Sequence, residues 1–333
     1  MYTDVMQASP LLMPHEYVRS LTNDVRKAKR RIVVFSHIIA YDESTDELVA
    51  ALCEAAKRGV AVEVAGDVFT YGILGGWKVV PLKPNERIRA LRTMVKKFKK
   101  SGVQYRWIGQ IGPFLFAGRT HVKWAVVDDI VYSFGGINLY AKGLREIDYM
   151  LHEKNARLGD HLVREHRRIA EADRRSKFYR SHQFESGNGE VLIDGGRPRD
   201  SIIYRRACAL AKQATEIIYV SQYCPTGPLG KIMDEHGAKL YFSHWRQAMS
   251  FNNKLLIRGS MFLTGYETLY ARPEFLHAKF ILFTMPDGKK VALSGSHNFV
   301  RAGVVLGTRE IDLETSDPII VSALEEFLQK HIY

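Results

Sequence analysis

The chain repeats itself, and that constrains its architecture more than any other feature it has. Four landmarks occur twice, in the same order. An Ala-Lys pair, a short gap and an apolar run ending in Ser reads AKRRIVVFS at 28–36 and AKQATEIIYVS at 211–221. HVK at 121–123 returns as HAK at 277–279, and each opens an apolar strand. GGIN at 135–138 returns as GSHN at 295–298, and GLREID at 143–148 as GTREID at 307–312. The offsets are 156 residues for the histidines, 160 for the asparagines and 164 for the glutamates, a drift that small insertions such as the FTMPDGKK stretch explain. One shared motif is easily chance. Four in register imply an internal duplication.

Within each copy the periodicity switches between helix and strand, which predicts an α/β layer structure. Residues 16–30 read as a helix and 31–36 as a buried strand. The run DESTDELVAALCEAAKRG starts on acids, places Leu48, Leu52, Ala55 and Ala56 on one face and stops at Gly59, so it is a helix, and VAVEVAGD follows as a strand. A turn-rich stretch at 185–200, with one short strand at Val191–Ile193, separates the copies. We place the boundary at 185, giving repeats 1–185 and 186–333. At 46% hydrophobic and 25% charged residues, both can bury a core.

The residues repeated with the fold are those suited to chemistry. In a strand, alternate side chains share a face, so His121 and Lys123 point together while Val122, Trp124 and Val126 enter the opposite layer. Two strand residues span roughly 6.6 Å, enough to bracket a phosphate between an imidazole and an ammonium. His277 and Lys279 repeat this against Ala278, Phe280 and Leu282. A solvated edge strand explains one such pair; it explains two in register poorly. Gly135, Gly136 and Gly295 put small residues where backbone can approach a ligand, with Asn138, Asn298 and Ser296 as polar donors beside them. Glu146 and Glu310, in REID segments that read as strands, can each accept a hydrogen bond from a histidine ring and fix its tautomer. The plainer reading of REID is a surface ion pair such as Arg145 with Asp148.

At these residues the chain resembles the phospholipase D superfamily, whose motif is HxK, four residues, Asp, then a Gly-Gly or Gly-Ser turn with Asn. The first copy matches in full through His121, Lys123, Asp128, Gly135, Gly136 and Asn138. The second has Thr284 where the aspartate is expected, with Asp287 three residues later in a longer turn. The likeness spans about residues 16–315 and is greatest to bacterial cardiolipin synthases and related phosphatidyltransferases, without their N-terminal membrane helices. It implies two phospholipase D-like α/β/α repeats, each a mixed sheet flanked by helices, related by a pseudo-two-fold axis. It also implies phosphodiester transfer through a phosphohistidine, with His121 as nucleophile, His277 as general acid, and Lys123, Lys279, Asn138 and Asn298 on the nonbridging oxygens. Asp128 and Asp287 would be structural. No cofactor and no metal is implied.

The net charge of +12 calls for an anionic partner. Between Lys83 and Arg106 lie nine basic residues and one acidic residue, with Ile88, Leu91, Val95 and Phe98 at helical spacing. Such a helix either lies on an anionic membrane surface or packs its stripe on the core with a solvated basic face. GILGGW at 72–77 and IGPFLFAG at 111–118 flank it, as an entrance loop or as core. A phospholipid substrate is therefore the expectation. The alternative is a nuclease or nucleic-acid phosphodiesterase using the same charge on a phosphate backbone, against which no interleaved aromatic and basic pattern stands out. Cys53, Cys208 and Cys224 form neither a disulfide framework nor a metal motif. Without an apolar run of roughly 20 residues or a leader pattern, a cytoplasmic location is expected, with peripheral attachment to the inner face of the membrane.

Overall fold

The computed structural model describes residues 9–75, 85–109, 118–248 and 251–333. The first half runs β1 (Leu11–Leu12), α1 (Pro14–Lys27), β2 (Arg31–Ser36), α2 (Asp46–Lys57), β3 (Ala61–Asp67), α3 (Phe69–Gly75), α4 (Glu86–Ser101), β4 (Gln104–Ile108), β5 (Trp124–Val127), β6 (Ile130–Ser133), β7 (Met150–Lys154) and α5 (Ala156–Arg174). The second runs β8 (His182–Glu185), β9 (Glu190–Gly195), α6 (Ile202–Gln213), β10 (Glu216–Ser221), α7 (Pro228–Glu235), β11 (Lys239–Phe242), α8 (Phe251–Thr264), β12 (Phe280–Thr284), β13 (Lys290–Gly295), α9 (Arg301–Leu306), β14 (Arg309–Thr315) and α10 (Pro318–His331).

Each half builds a mixed seven-stranded sheet, ordered β1-β7-β6-β5-β2-β3-β4 and β11-β10-β12-β13-β14-β9-β8. Read in opposite directions, both contain the same run: β7-β6-β5-β2-β3 corresponds to β14-β13-β12-β10-β11. β2 with β3 and β10 with β11 are the parallel pairs of that run, and the rest of it is antiparallel. The duplication in the sequence is thus a duplication of topology. β8 already pairs with β9 in the second sheet, so the chain crosses between sheets after α5, before residue 185.

The inner faces of the sheets share one core. Val33, Phe35, Val122, Trp124 and Val126 meet Ile193, Ala278, Phe280, Ile311 and Leu313 there, with Leu324 and Phe327 of α10. Val122, Trp124 and Val126 therefore lie in the layer that alternation assigns them. The outer face of each sheet is covered by its own helices. On α4, Asn85 caps the Ile88 N–H at 2.9 Å and Gly102 ends the helix in the left-handed region, at φ 91°. Its stripe, Ile88, Leu91, Met94 and Phe98, is buried in that outer core, with Met94 taking the place expected of Val95, which is only half-buried. The basic amphipathic segment therefore packs on its own domain and keeps only its charges for solvent. Of the flanking GILGGW segment, residues 72–75 end α3 and Leu74 is buried in the same core, whereas residues 76–77, and 111–117 of IGPFLFAG, lie outside the described residues.

Two expectations of regular strand do not hold. Both HxK triplets precede their strands, β5 and β12, instead of opening them, and the first REID segment follows a 3-10 turn at Gly143–Arg145. The reason is that these segments pair across the halves. Thr120 bridges Arg309 and Ile147 bridges Leu276, each in parallel sense. The His121 N–H donates to the Arg309 carbonyl at 2.9 Å, and the His277 N–H to the Ile147 carbonyl at 2.9 Å.

Asp128 is structural, as its motif position suggests. Its carboxylate accepts from the N–H groups of Lys29, Arg30 and Arg31 at 3.0, 2.9 and 3.1 Å, tying the entry of β2 to the end of β5. In the second half the Thr284 carbonyl does this work, accepting from the Thr215 N–H at 2.8 Å. Asp287 only closes its own turn, on the Lys289 N–H at 3.0 Å. Asp128→Ala should lower unfolding stability by about 1–3 kcal/mol, the usual cost of stranding amide donors. Denaturant titration checks this, and turnover per folded molecule should stay within a few-fold of wild type.

Candidate active site

The cross-half pairing brings the two HxK segments together with carboxylates from the opposite repeat. His121 Nδ1 lies 2.9 Å from Glu310 Oε1 of the second half. His277 Nδ1 lies 2.7 Å from Asp148 Oδ2 of the first. Burial works to raise both carboxyls, but His121 holds Glu310 below its ordinary value, and His277 with Lys279 holds Asp148 below its own. Both are therefore ionised acceptors, and each ring spends its Nδ1 proton on its carboxylate, which fixes the tautomer.

The two pairs are not equivalent by sequence, since Glu310 corresponds to Glu146, not to Asp148. Glu146 was expected to orient a histidine, but its Oε2 stands 3.8 Å from His277 Nδ1. Burial, reinforced by the neighbouring Asp148 charge, pushes its carboxyl up to about 8, so at neutral pH it is largely protonated and the contact is no ion pair. Nor does Asp148 pair with Arg145. The cause of the asymmetry lies one motif earlier. Ser296 was expected to contact phosphate, yet its hydroxyl donates to Glu310 Oε2 at 2.6 Å and accepts from the Ile311 N–H at 3.0 Å, which aims Glu310 at His121. Gly136 stands in its place in the first half. A Cβ there would come within 2.6 Å of Asp148 Oδ2 and 3.0 Å of Lys279 Nζ, so bare glycine leaves the room in which Asp148 reaches His277. Asp312, the counterpart of Asp148, instead accepts from the His297 N–H at 3.0 Å, and burial raises its carboxyl well above the usual range.

The other glycines also serve packing. A Cβ on Gly135 would meet the Tyr149 carbonyl at 1.9 Å, and one on Gly295 the Ile311 carbonyl at 2.2 Å. The neighbouring backbone requires them.

The two lysines sit among these pairs. Lys123 Nζ donates to the His121 carbonyl at 2.7 Å, and Lys279 Nζ to the His277 carbonyl. Burial, then the Lys279 charge, lowers Lys123 to about 8. Burial, then Lys279, lowers His277 to about 4, with Lys123 contributing. Lys123 thus acts on His277 and Glu310 alike, so the two halves form one electrostatic site. Asn138 accepts through Oδ1 from the Ile38 N–H at 3.2 Å, and its amide nitrogen has no partner among the described residues. Asn298 is 8% exposed, and its buried Oδ1 is likewise unpartnered. The two buried cations suit an oxyanion, and the Asn138 amide nitrogen is a donor left over for one; Asn298 would meet an oxyanion only through its own amide nitrogen, since its unpartnered Oδ1 is an acceptor. Among the described residues no three of His, Cys, Asp and Glu group as a metal site.

His37 escaped the sequence reading. Buried at the end of β2, it bonds through Nδ1 to the Thr120 carbonyl at 2.8 Å and packs edge-on against His121, ring centroids 4.4 Å apart. The signal was its place directly after the repeated Ser36, at the carboxyl end of a parallel strand, where α/β folds gather ligands. His297, buried beside Glu310, was passed over inside the GSHN motif.

Residues 21–170 match a family model described as "Cardiolipin synthase, PLD-like domain". No curated protein matches the sequence. The fold is similar to that of phosphatidylserine synthase from Haemophilus influenzae Rd KW20, with a TM-score of 0.71 at 15% identity over 97% of this chain and 86% of that one. It is also similar to polyphosphate kinase from Porphyromonas gingivalis, with a TM-score of 0.60 at 13% identity over 96% of this chain and 46% of that one. The first repeat thus resembles a phospholipase D-like domain in sequence over residues 21–170, and the whole chain resembles these two structures in fold.

Proposed function

We propose that the chain transfers the phosphodiester of a phospholipid, as a phosphatidyltransferase or phospholipase D, through a phosphohistidine. The observation that carries the reading is the pair of imidazoles, each anchored by a carboxylate from the other half, with both lysines in the field of both carboxylates. The lipid class is supported by the family description and by the phosphatidylserine synthase likeness.

His121, the more accessible ring at 29% side-chain exposure against 10% for His277, attacks phosphorus through Nε2. The phosphorus–oxygen bond to the leaving alcohol breaks, and His277 delivers a proton to that oxygen. An alcohol or water then gives its proton to His277 as its oxygen displaces His121. Lys123, Lys279, Asn138 and Asn298 hold the nonbridging oxygens. The low proton affinity of His277 in the free protein fits this order. After burial, its cause is the lysine field, which a phosphodiester anion cancels, so the ring gains its proton with the substrate in place.

His121→Ala and His277→Ala should each lose about two to four orders of magnitude in turnover, measured by mass spectrometry of lipids after incubation with phosphatidylglycerol plus glycerol or ethanol. Turnover of DNA with none of lipid would reassign the substrate to nucleic acid. A p-nitrophenyl phosphodiester, whose leaving group needs no proton, separates the roles: His277→Ala should still release a burst of p-nitrophenol and His121→Ala none. The reverse pattern would exchange the histidines.

Asp148→Asn should cost about two orders of magnitude or more, by removing the charge that fixes the His277 tautomer. Glu146→Gln should cost less than about fivefold, since the native carboxyl already carries a proton near neutral pH. Equal losses would contradict the assignment of Asp148. Lys123 must be charged to hold phosphate and loses its proton as pH rises through about 8, so kcat/KM should fall above that pH. A profile flat to pH 10 would remove Lys123 from the site.

A further inference from the structure

Among the described residues, the four most exposed large apolar side chains all sit on α8: Phe262 at 88%, Leu263 at 83%, Leu255 at 62% and Leu256 at 59%. Spaced i, i+1, i+7 and i+8, they form one stripe of the helix. The opposite face is anchored: Ile257 is buried, Met261 packs on the second-half core and the Thr264 hydroxyl contacts Cys224 Sγ at 3.4 Å. The stripe is therefore a presented surface on a fixed helix. No carboxylate occurs within Phe251–Thr264, while Lys254 and Arg258 are exposed beside the stripe. Arg258 and Arg246 both lie over the Trp245 ring, at 5.3 and 5.1 Å, giving an aromatic anchor flanked by cations. The helix also starts at the site, since the Tyr223 hydroxyl donates to Asn253 Oδ1 at 3.1 Å and Tyr223 feels the charge of Glu146.

We infer that α8 is the membrane-docking element of the protein, laying Leu255, Leu256, Phe262 and Leu263 into the interface of an anionic phospholipid bilayer with Lys254 and Arg258 at the headgroups. This deepens the phospholipid reading above and rests on it. Apolar side chains flanked by cations, with no acid between, match an anionic interface. A second copy of the chain fits less well, because a symmetric pairing of this face would set its cations against their own kind. Cations of the first half, Arg87 and Lys142, act on Tyr140 and Glu146 at the same site, so a bilayer held by α8 would meet positive charge around the site as well.

The test compares the full chain with the double variant Phe262→Asn, Leu263→Asn, both substitutions being on exposed positions. Co-sedimentation uses vesicles of phosphatidylcholine with or without phosphatidylglycerol, and a water-soluble p-nitrophenyl phosphodiester reports the site. The wild type should bind the phosphatidylglycerol vesicles. The double variant should bind at least about tenfold more weakly, since one buried large apolar side chain is worth that much, while turning over the soluble ester as the wild type does. Vesicle binding undiminished in the variant, or absent in the wild type, would overturn the inference. So would a wild-type dimer that the variant dissolves, which would assign the stripe to a second copy. Vesicle binding through α8 without turnover of any phospholipid would leave the docking surface standing and strike only the substrate reading.

Discussion

Each HxK segment hydrogen-bonds to the carboxylate-bearing segment of the opposite repeat, and the rest of the site depends on that exchange. Arg309 shows how firmly it is made. Its backbone takes the His121 N–H, its guanidinium donates to the Gly118 carbonyl at 2.9 Å and lies 3.6 Å from Asp173, and it is 2% exposed. A charge so deeply buried is tolerated only with partners on hand, and those partners belong to the other half. Asp67 and Arg119 form a second buried pair at 3.0 Å just before the first HxK. The halves are therefore joined by polar contacts fixed in direction, over an apolar core that by itself would allow them to slide.

A shared, buried site is also what gives the side chains their unusual protonation. Two lysines and two histidines packed together would repel one another in any solvent-poor place. The protein offsets this with Glu310 and Asp148 as ionised partners, and lets Glu146 keep its proton, while burial raises the carboxyl of Asp312. The arrangement is positive where an oxyanion would lie and negative behind the rings. A phosphate diester, carrying one charge, would complete it.

Much of this was legible in the sequence because duplication marks whatever both halves need. The HxK pairs and the doubled α/β architecture follow from segments that recur. What the duplication concealed is where the halves differ. By analogy Glu146 should do for His277 what Glu310 does for His121, yet the exchange of Ser296 for Gly136 hands that task to Asp148. A one-residue difference in a glycine turn carries no periodic signal, and only the position of the facing strand gives it meaning. The strand reading of the HxK segments and of the first REID segment failed for a related reason: their hydrogen bonds go to the other repeat, so neither forms a regular ladder within its own, whereas the second REID lies in β14 as expected. On α4, helical spacing found three of the four stripe residues and missed Met94, and spacing alone cannot tell a core-facing stripe from a lipid-facing one. The exposed stripe lies on α8, which the sequence reading passed over.

The central claim is that both imidazole–ammonium pairs surround one phosphorus. A crystal structure with vanadate tests it most directly. The account predicts one vanadate bonded to a histidine Nε2, with Lys123, Lys279, Asn138 and Asn298 around its oxygens and the second histidine on the opposite side. Two separate oxyanions, each held by one repeat alone, would contradict it.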